Sequence, residues 1–128
     1  MTIGPSPLDG ANHLLVEKVP LILAEMAALG HPMKMTEGRR SLKRQQDLYA
    51  QGRTKPGSKV TNCDGVKNKS KHQAQSDGTH HAIDFVFILG MGRVTWKGPW
   101  DVFGALVRKH GLKWGGDWTT PDRPHVEV

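Results

Sequence analysis

Residues 81–89 read HAIDFVFIL, and no other stretch restricts the fold of this chain as much. Its β-branched and aromatic side chains make it the clearest strand in the sequence. The turn residues GMGR that follow send the chain back into a partner strand near VTW. In the middle of the apolar run stands Asp84. A carboxylate in such a strand is costly to bury unless it is paired or bound to a metal. Alternate residues of a strand share a face, so Asp84, Ala82 and His80 point one way and His81 and Ile83 the other. By alternation alone, His80 is the companion of Asp84.

The flanking segments supply helices. ANHLLVEKVPLILAEMAALG carries Leu14, Leu15, Val19, Ile22, Leu23, Met26 and Leu29 near helical spacing, which assigns them to the core. Pro20 either kinks this helix or opens a second one, and Gly30 followed by Pro32 stops it. MKMTEG (33–38) is a short strand. Ser41 stands as N-cap before LKRQQDLYAQG, a helix ending at Gly52. WDVFGALVRKHG is a third helix closed by Gly111, and LKWGGDW and HVEV are short closing strands. From Arg53 to Gly78 the composition is that of a long polar loop, a class that tends to be functional or disordered. Helices followed by a small, mainly antiparallel sheet predict an α+β fold.

At 128 residues the chain suits one domain with a real core, residues 1–128, and two domains would each be too small. No apolar run approaches the ~20 residues that span a bilayer, so stable membrane insertion is not expected. The N-terminus MTIGPSPLDG lacks the charged and apolar regions of a signal peptide. Cys63 is the only cysteine, which excludes an intrachain disulfide and a cysteine-based zinc cluster and suits a reducing compartment. The net charge of +6 favours an anionic partner: nucleic acid, a phosphate-rich surface or an acidic polymer such as cell wall. A nucleic-acid-binding domain would interleave basic and aromatic residues on one face. Here Lys and Arg are scattered, which argues against nucleic acid.

Without cysteine, zinc must be held by histidine and carboxylate, and a hydrolytic site needs three protein ligands with one position open for water. His13, His31, His72, His80, His81, His110 and His125 are the candidates, with nearby acids. The C-terminal DWTTPDRPHVEV adds a second cluster. Pro124 fixes the approach to His125, and Asp122 stands three residues before it, in reach of a metal-bound water.

Taken together, SKH (70–72), HHAID (80–84) and DRPH (122–125) resemble a zinc peptidase family. It contains the D-Ala-D-Ala carboxypeptidases and dipeptidases and the L-alanyl-D-glutamate endopeptidases of phage endolysins. The family pattern is Ser-x-His, then Gly-x-Ala-x-Asp, then Glu/Asp-x-x-His. TEGRRSLKRQQDLYAQGRTKPGSKVTN (36–62) and GLKWGGDW (111–118) resemble the endopeptidase branch in particular. The resemblance implies a hedgehog/DD-peptidase-like fold and a zinc held by His72, Asp84 and His125. It assigns Asp122 as proton shuttle and Arg40 to the developing oxyanion or a substrate carboxylate. Gln45 would support Arg40, Ser70 would bind substrate or sit behind the ligands, and Trp118 would wall the cleft. Two departures keep His80 as the alternative to His72. His80 stands where the family has Gly, and eleven residues, 73–83, separate His72 from Asp84, more than the pattern has. QAQSDG reads as an enlarged loop between the two ligands, and His81 lies off the site face.

The implied function is a zinc-dependent peptidoglycan endopeptidase that cuts the stem peptide between L-Ala and D-Glu. D-Ala-D-Ala carboxypeptidase activity is the alternative on the same scaffold. The expectation is a monomeric catalytic domain without a wall-binding module. Made in the host bacterial cytoplasm, it would reach the wall with a holin-type protein, as phage or prophage lysis enzymes do.

Overall fold

The computed structural model describes residues 6–128. The first half of the expected irregular lead-in, residues 1–5, lies outside the described residues.

Helix α1 (His13–Ala28) starts where the Asn12 side chain accepts a hydrogen bond from the Leu14 N–H, 3.0 Å. It runs unbroken through Pro20. The N–H that Pro20 lacks would have met the carbonyl of Val16, and both residues are exposed, so the missing bond falls on the solvent side. Leu15, Val19, Ile22 and Met26 form the buried stripe. Leu29 departs from expectation at 56% exposed, because the helix has ended and residue 29 only caps it. Strand β1 (Met33–Glu37) follows, then α2 (Leu42–Ala50), whose N-terminus is capped by the Ser41 hydroxyl. No helix or strand interrupts residues 53–78.

Strand β2 (Ala82–Gly90) is the spine of an antiparallel sheet. Along one edge it pairs with β1; along the other it pairs first with β5 (His125–Glu127), then with β3 (Arg93–Thr95). Strand β4 (Lys113–Trp114) completes the sheet outside β5. Ile83, Phe85 and Phe87 project from one face into the core with α1 and with α3 (Trp100–Lys109), where Phe85 meets Phe103 at 5.1 Å. Gly104 lets α3 approach the sheet: a Cβ there would stand 2.2 Å from the Trp114 ring. The architecture is α+β, three helices on a small antiparallel sheet. Among the described residues no helix is long and apolar enough to cross a membrane.

Candidate metal centre

On the opposite face of β2, which carries Ala82, Asp84 and Val86, the register places charge. Asp84 lies opposite Glu37 of β1 on one side and His125 of β5 on the other. Cross-strand partners share a face, so three titratable groups stand in a row. His125 Nδ1 is 3.4 Å from Asp84 Oδ1. His72 comes from the long loop and brings its Nε2 to 3.3 Å from Asp84 Oδ2. The Ser70 hydroxyl accepts from the His72 N–H, and the Arg40 N–H donates to the His72 carbonyl at 2.7 Å. These bonds hold the loop against the strand.

The eleven intervening residues do not separate the ligands in space. Ala74 bridges back to His80, and the Gln75 N–H donates to the Thr79 carbonyl, so residues 75–79 leave as a small closed turn. His80 is not beside Asp84. β2 begins only at Ala82, so the alternation that nominated His80 does not reach it. Its ring is fully buried between the carbonyls of Ala82, 3.0 Å, and Asp9, 3.1 Å. His81 pairs with Asp77 at 2.9 Å, away from the cluster.

Each histidine at the cluster is oriented from behind. His72 Nδ1–H donates to the Gly38 carbonyl at 2.9 Å, and His125 Nε2–H donates to Glu127 at 2.8 Å. The tautomers so set leave the Nε2 lone pair of His72 and the Nδ1 lone pair of His125 facing the carboxylate. Asp84 Oδ1 is buried with no hydrogen-bond partner among the described residues. One donor atom from each of His72, Asp84 and His125 lies within 4.8 Å of the others. Two lone pairs and an orphaned carboxylate oxygen converging in this way suit a cation, and His₂Asp is a donor set that zinc accepts.

The charges are strongly coupled. Burial works against ionisation of Asp84, yet the close approach of the His125 and His72 rings holds its carboxyl far below the usual carboxylate range. Burial likewise opposes charge on His125, but Asp84 and Glu127 outweigh it and raise the ring to about 9 in the absence of metal. Asp122 moves the other way: burial and then the Asp84 charge lift it above the ordinary value.

Asp122 stands at the mouth, its Oδ2 3.9 Å from His125 Nδ1, on a turn fixed by its N–H bond to the Gly115 carbonyl. Gly115 permits that turn, since a Cβ there would lie 2.3 Å from the Asp122 carbonyl oxygen. The Trp118 ring leans on the His125 ring, centroids 4.8 Å apart, and walls the cleft. Arg40 lines the same cleft. Its Nε–H and Nη2–H both donate to Glu37 at 2.9 Å, and Nη1–H donates to Gln45 and Ser70. These bonds brace the segment that carries the Gly38 carbonyl. Gln45 is fully buried and holds Arg40, while Ser70, nearly as buried, holds Arg40 and the His72 N–H and also lines the cleft.

Glu37 and Glu127 join the cluster without belonging to the family motifs. Glu127 was visible in principle, two residues beyond His125 and so on the same face of a strand. Glu37 was not, because its place depends on the β1–β2 register. The cluster opens into a cleft of about 830 Å³ lined also by Lys69 and Lys71.

A family model described as D-alanyl-D-alanine carboxypeptidase matches residues 64–128. The peptidoglycan L-alanyl-D-glutamate endopeptidase CwlK of Bacillus subtilis is 31% identical over 135 residues, covering 97% of this chain and 76% of the relative. The crystal structure of the Serratia marcescens L-Ala D-Glu endopeptidase ChiX superposes with a TM-score of 0.64 at 27% identity, covering 95% of this chain and 83% of that one. With half its length matched by the family model and nearly all of it aligned to CwlK, the chain belongs to the M15 family of metallopeptidases.

Proposed function

We propose that this chain is a zinc-dependent peptidoglycan endopeptidase that hydrolyses the L-Ala–D-Glu bond of the stem peptide. The observation that carries the reading is the convergence of His72, Asp84 and His125 beside Asp122 in an open cleft. The near-full-length likeness to two L-Ala–D-Glu endopeptidases supports the choice of bond. His72, Asp84 and His125 would hold the zinc, which would serve as a Lewis acid to acidify a water and polarise the scissile carbonyl.

The chain's own residues do the rest. Asp122, 3.9 Å from His125 at the mouth of the cluster, accepts the water's proton and passes it to the leaving amine. Glu127 and the Gly38 carbonyl hold the two imidazoles in their metal-facing tautomers. Lys69 and Lys71 line the cleft, and their cations suit the carboxylates of D-Glu and of the residues beyond it. Trp118 shields the His125 side from water.

Mass spectrometry of muropeptides released by the purified protein tests the assignment. Cleavage at L-Ala–D-Glu leaves L-Ala on the muramic acid and frees a peptide beginning with D-Glu. The family model's own description favours D-Ala-D-Ala carboxypeptidase activity as a second reading. That activity would release only free D-Ala, and finding this product alone would replace the first reading by the second. We place the enzyme, as a monomer, in phage or prophage lysis, made in the host cytoplasm and released to the wall by a holin-type protein. Its charge of +6 suits an anionic envelope. Expression with and without a holin tests this, with lysis expected only in its presence.

A further inference from the structure

The cleft does not end at Asp122. Pro121 and Asp122 also line a second groove of about 410 Å³, whose other walls are Trp96, Trp100, Arg123 and Pro124. Both sides of this groove are anchored from within. The Trp96 carbonyl accepts from the indole N–H of buried Trp100 at 2.8 Å. The Arg123 carbonyl accepts from the indole N–H of buried Trp114 at 2.7 Å. On this rigid support Trp96 is 57% exposed, and its own indole N–H has no partner among the described residues.

We propose that the groove between Trp96 and the Pro121–Pro124 turn is a saccharide subsite that receives the N-acetylmuramic acid from which the stem peptide hangs. The proposal rests on the L-Ala–D-Glu reading. In peptidoglycan the L-Ala amine is acylated by the lactyl group of the sugar. The saccharide therefore lies about one residue, roughly 3.5 Å of chain, beyond the L-Ala side of the scissile bond. An enzyme that cuts there meets the sugar at the edge of its cleft. Charge sets the direction. Lys69 and Lys71 line the main cleft and suit the carboxylates that follow the scissile bond, whereas Trp96 offers an apolar, electron-rich face on the far side of Asp122. The C–H face of a pyranose is apolar and faintly positive, which matches an indole face. Arg123 adds N–H donors for hydroxyl and acetamido oxygens.

The zinc-loaded protein tests this in two ways. Glycan strands stripped of peptide by an amidase are titrated while the four indole N–H signals are followed by NMR. The Trp96 signal, assigned through Trp96→Phe, should shift most and saturate, with a Kd on the order of millimolar. Separately, kcat/KM is measured on a muramyl tetrapeptide and on the free tetrapeptide. Trp96→Ala should narrow the ratio of the two about tenfold, as loss of one aromatic stacking contact would, and Trp96→Phe should restore most of it. An unchanged ratio in Trp96→Ala, or a Trp96 signal indifferent to glycan, overturns the subsite. Failure of the parent protein to cleave either substrate refutes the L-Ala–D-Glu reading, and the glycan titration alone then decides the subsite.

Discussion

Replacing Glu127 by Ala removes the group that holds His125 from behind, and the consequence depends on pH in a way that can be worked out. The Nε2–Oε1 bond is 2.8 Å long between side chains 8% and 11% exposed. A hydrogen bond to a charged partner is worth roughly 1.5–3 kcal/mol, and removing a carboxylate behind a ligating histidine typically costs 10–100-fold in metal affinity. Glu127 also helps to raise the metal-free His125 to about 9. Zinc must displace that proton, which at pH 7 costs the parent protein roughly a hundredfold in apparent affinity. The variant loses the bond, but its His125 titrates lower and holds less of a proton to displace. The two effects oppose each other near neutrality, and only the first survives above about pH 9, where the parent ring is already neutral. Zinc association constants measured by chelator competition should therefore differ little at pH 7 and by 10–100-fold above that point. Glu127→Gln, which keeps an acceptor for Nε2–H, should fall between. A parent-to-variant ratio that is constant with pH would refute the reasoning, as would a variant that binds as tightly as the parent at high pH.

Asp122→Asn should keep its zinc and lose roughly 10²–10⁴-fold in stem-peptide cleavage, since the amide cannot take the water's proton; loss of zinc would make Asp122 a ligand instead. His72→Ala should abolish zinc binding, whereas His80→Ala should bind zinc yet unfold more easily by roughly 1–3 kcal/mol, because a fully buried ring and its hydrogen bond to the buried Ala82 carbonyl are lost; the reverse pattern in metal analysis would exchange their roles. In metal-free protein His125 binds its proton more tightly than the unfolded chain, whose value is near 6.5. Its contribution to stability is complete below that value and is lost as pH rises through about 9, so Tm in EDTA should fall across this window. A Tm that stays flat or rises there would contradict the assignment. Gly115→Ala should destabilise the Asp122 turn and lower turnover together, because its Cβ would meet the Asp122 carbonyl at 2.3 Å; an active, equally stable variant would show that the turn tolerates displacement.

What the amino-acid order determined by itself was local or patterned. The β-branched run 82–88, the Ser41 cap and the stripe Leu15, Val19, Ile22, Met26 fold as their periods demand, because neighbours in sequence impose them. Asp84 was legible as a site residue for a related reason: a carboxylate in an apolar strand needs a partner wherever that strand packs. His125 and Asp122 were suggested by the Pro124 turn and the spacing between them, and His72 only by its family motif. Alternation pointed to His80 instead, and it failed because it holds only within a strand and β2 starts at Ala82. Tertiary structure decided the rest. The pairing of β1 and β5 on either edge of β2 puts Glu37, Asp84 and His125 in one row, and strand register is a contact between residues far apart in the chain. The same distance in sequence hid the Gly38 carbonyl behind His72 and the Glu37 carboxylate that occupies Arg40. A charged side chain looks unpartnered in a sequence until its neighbours in space are known, and for Arg40 those neighbours are Glu37, Gln45 and Ser70 at the wall of the cleft.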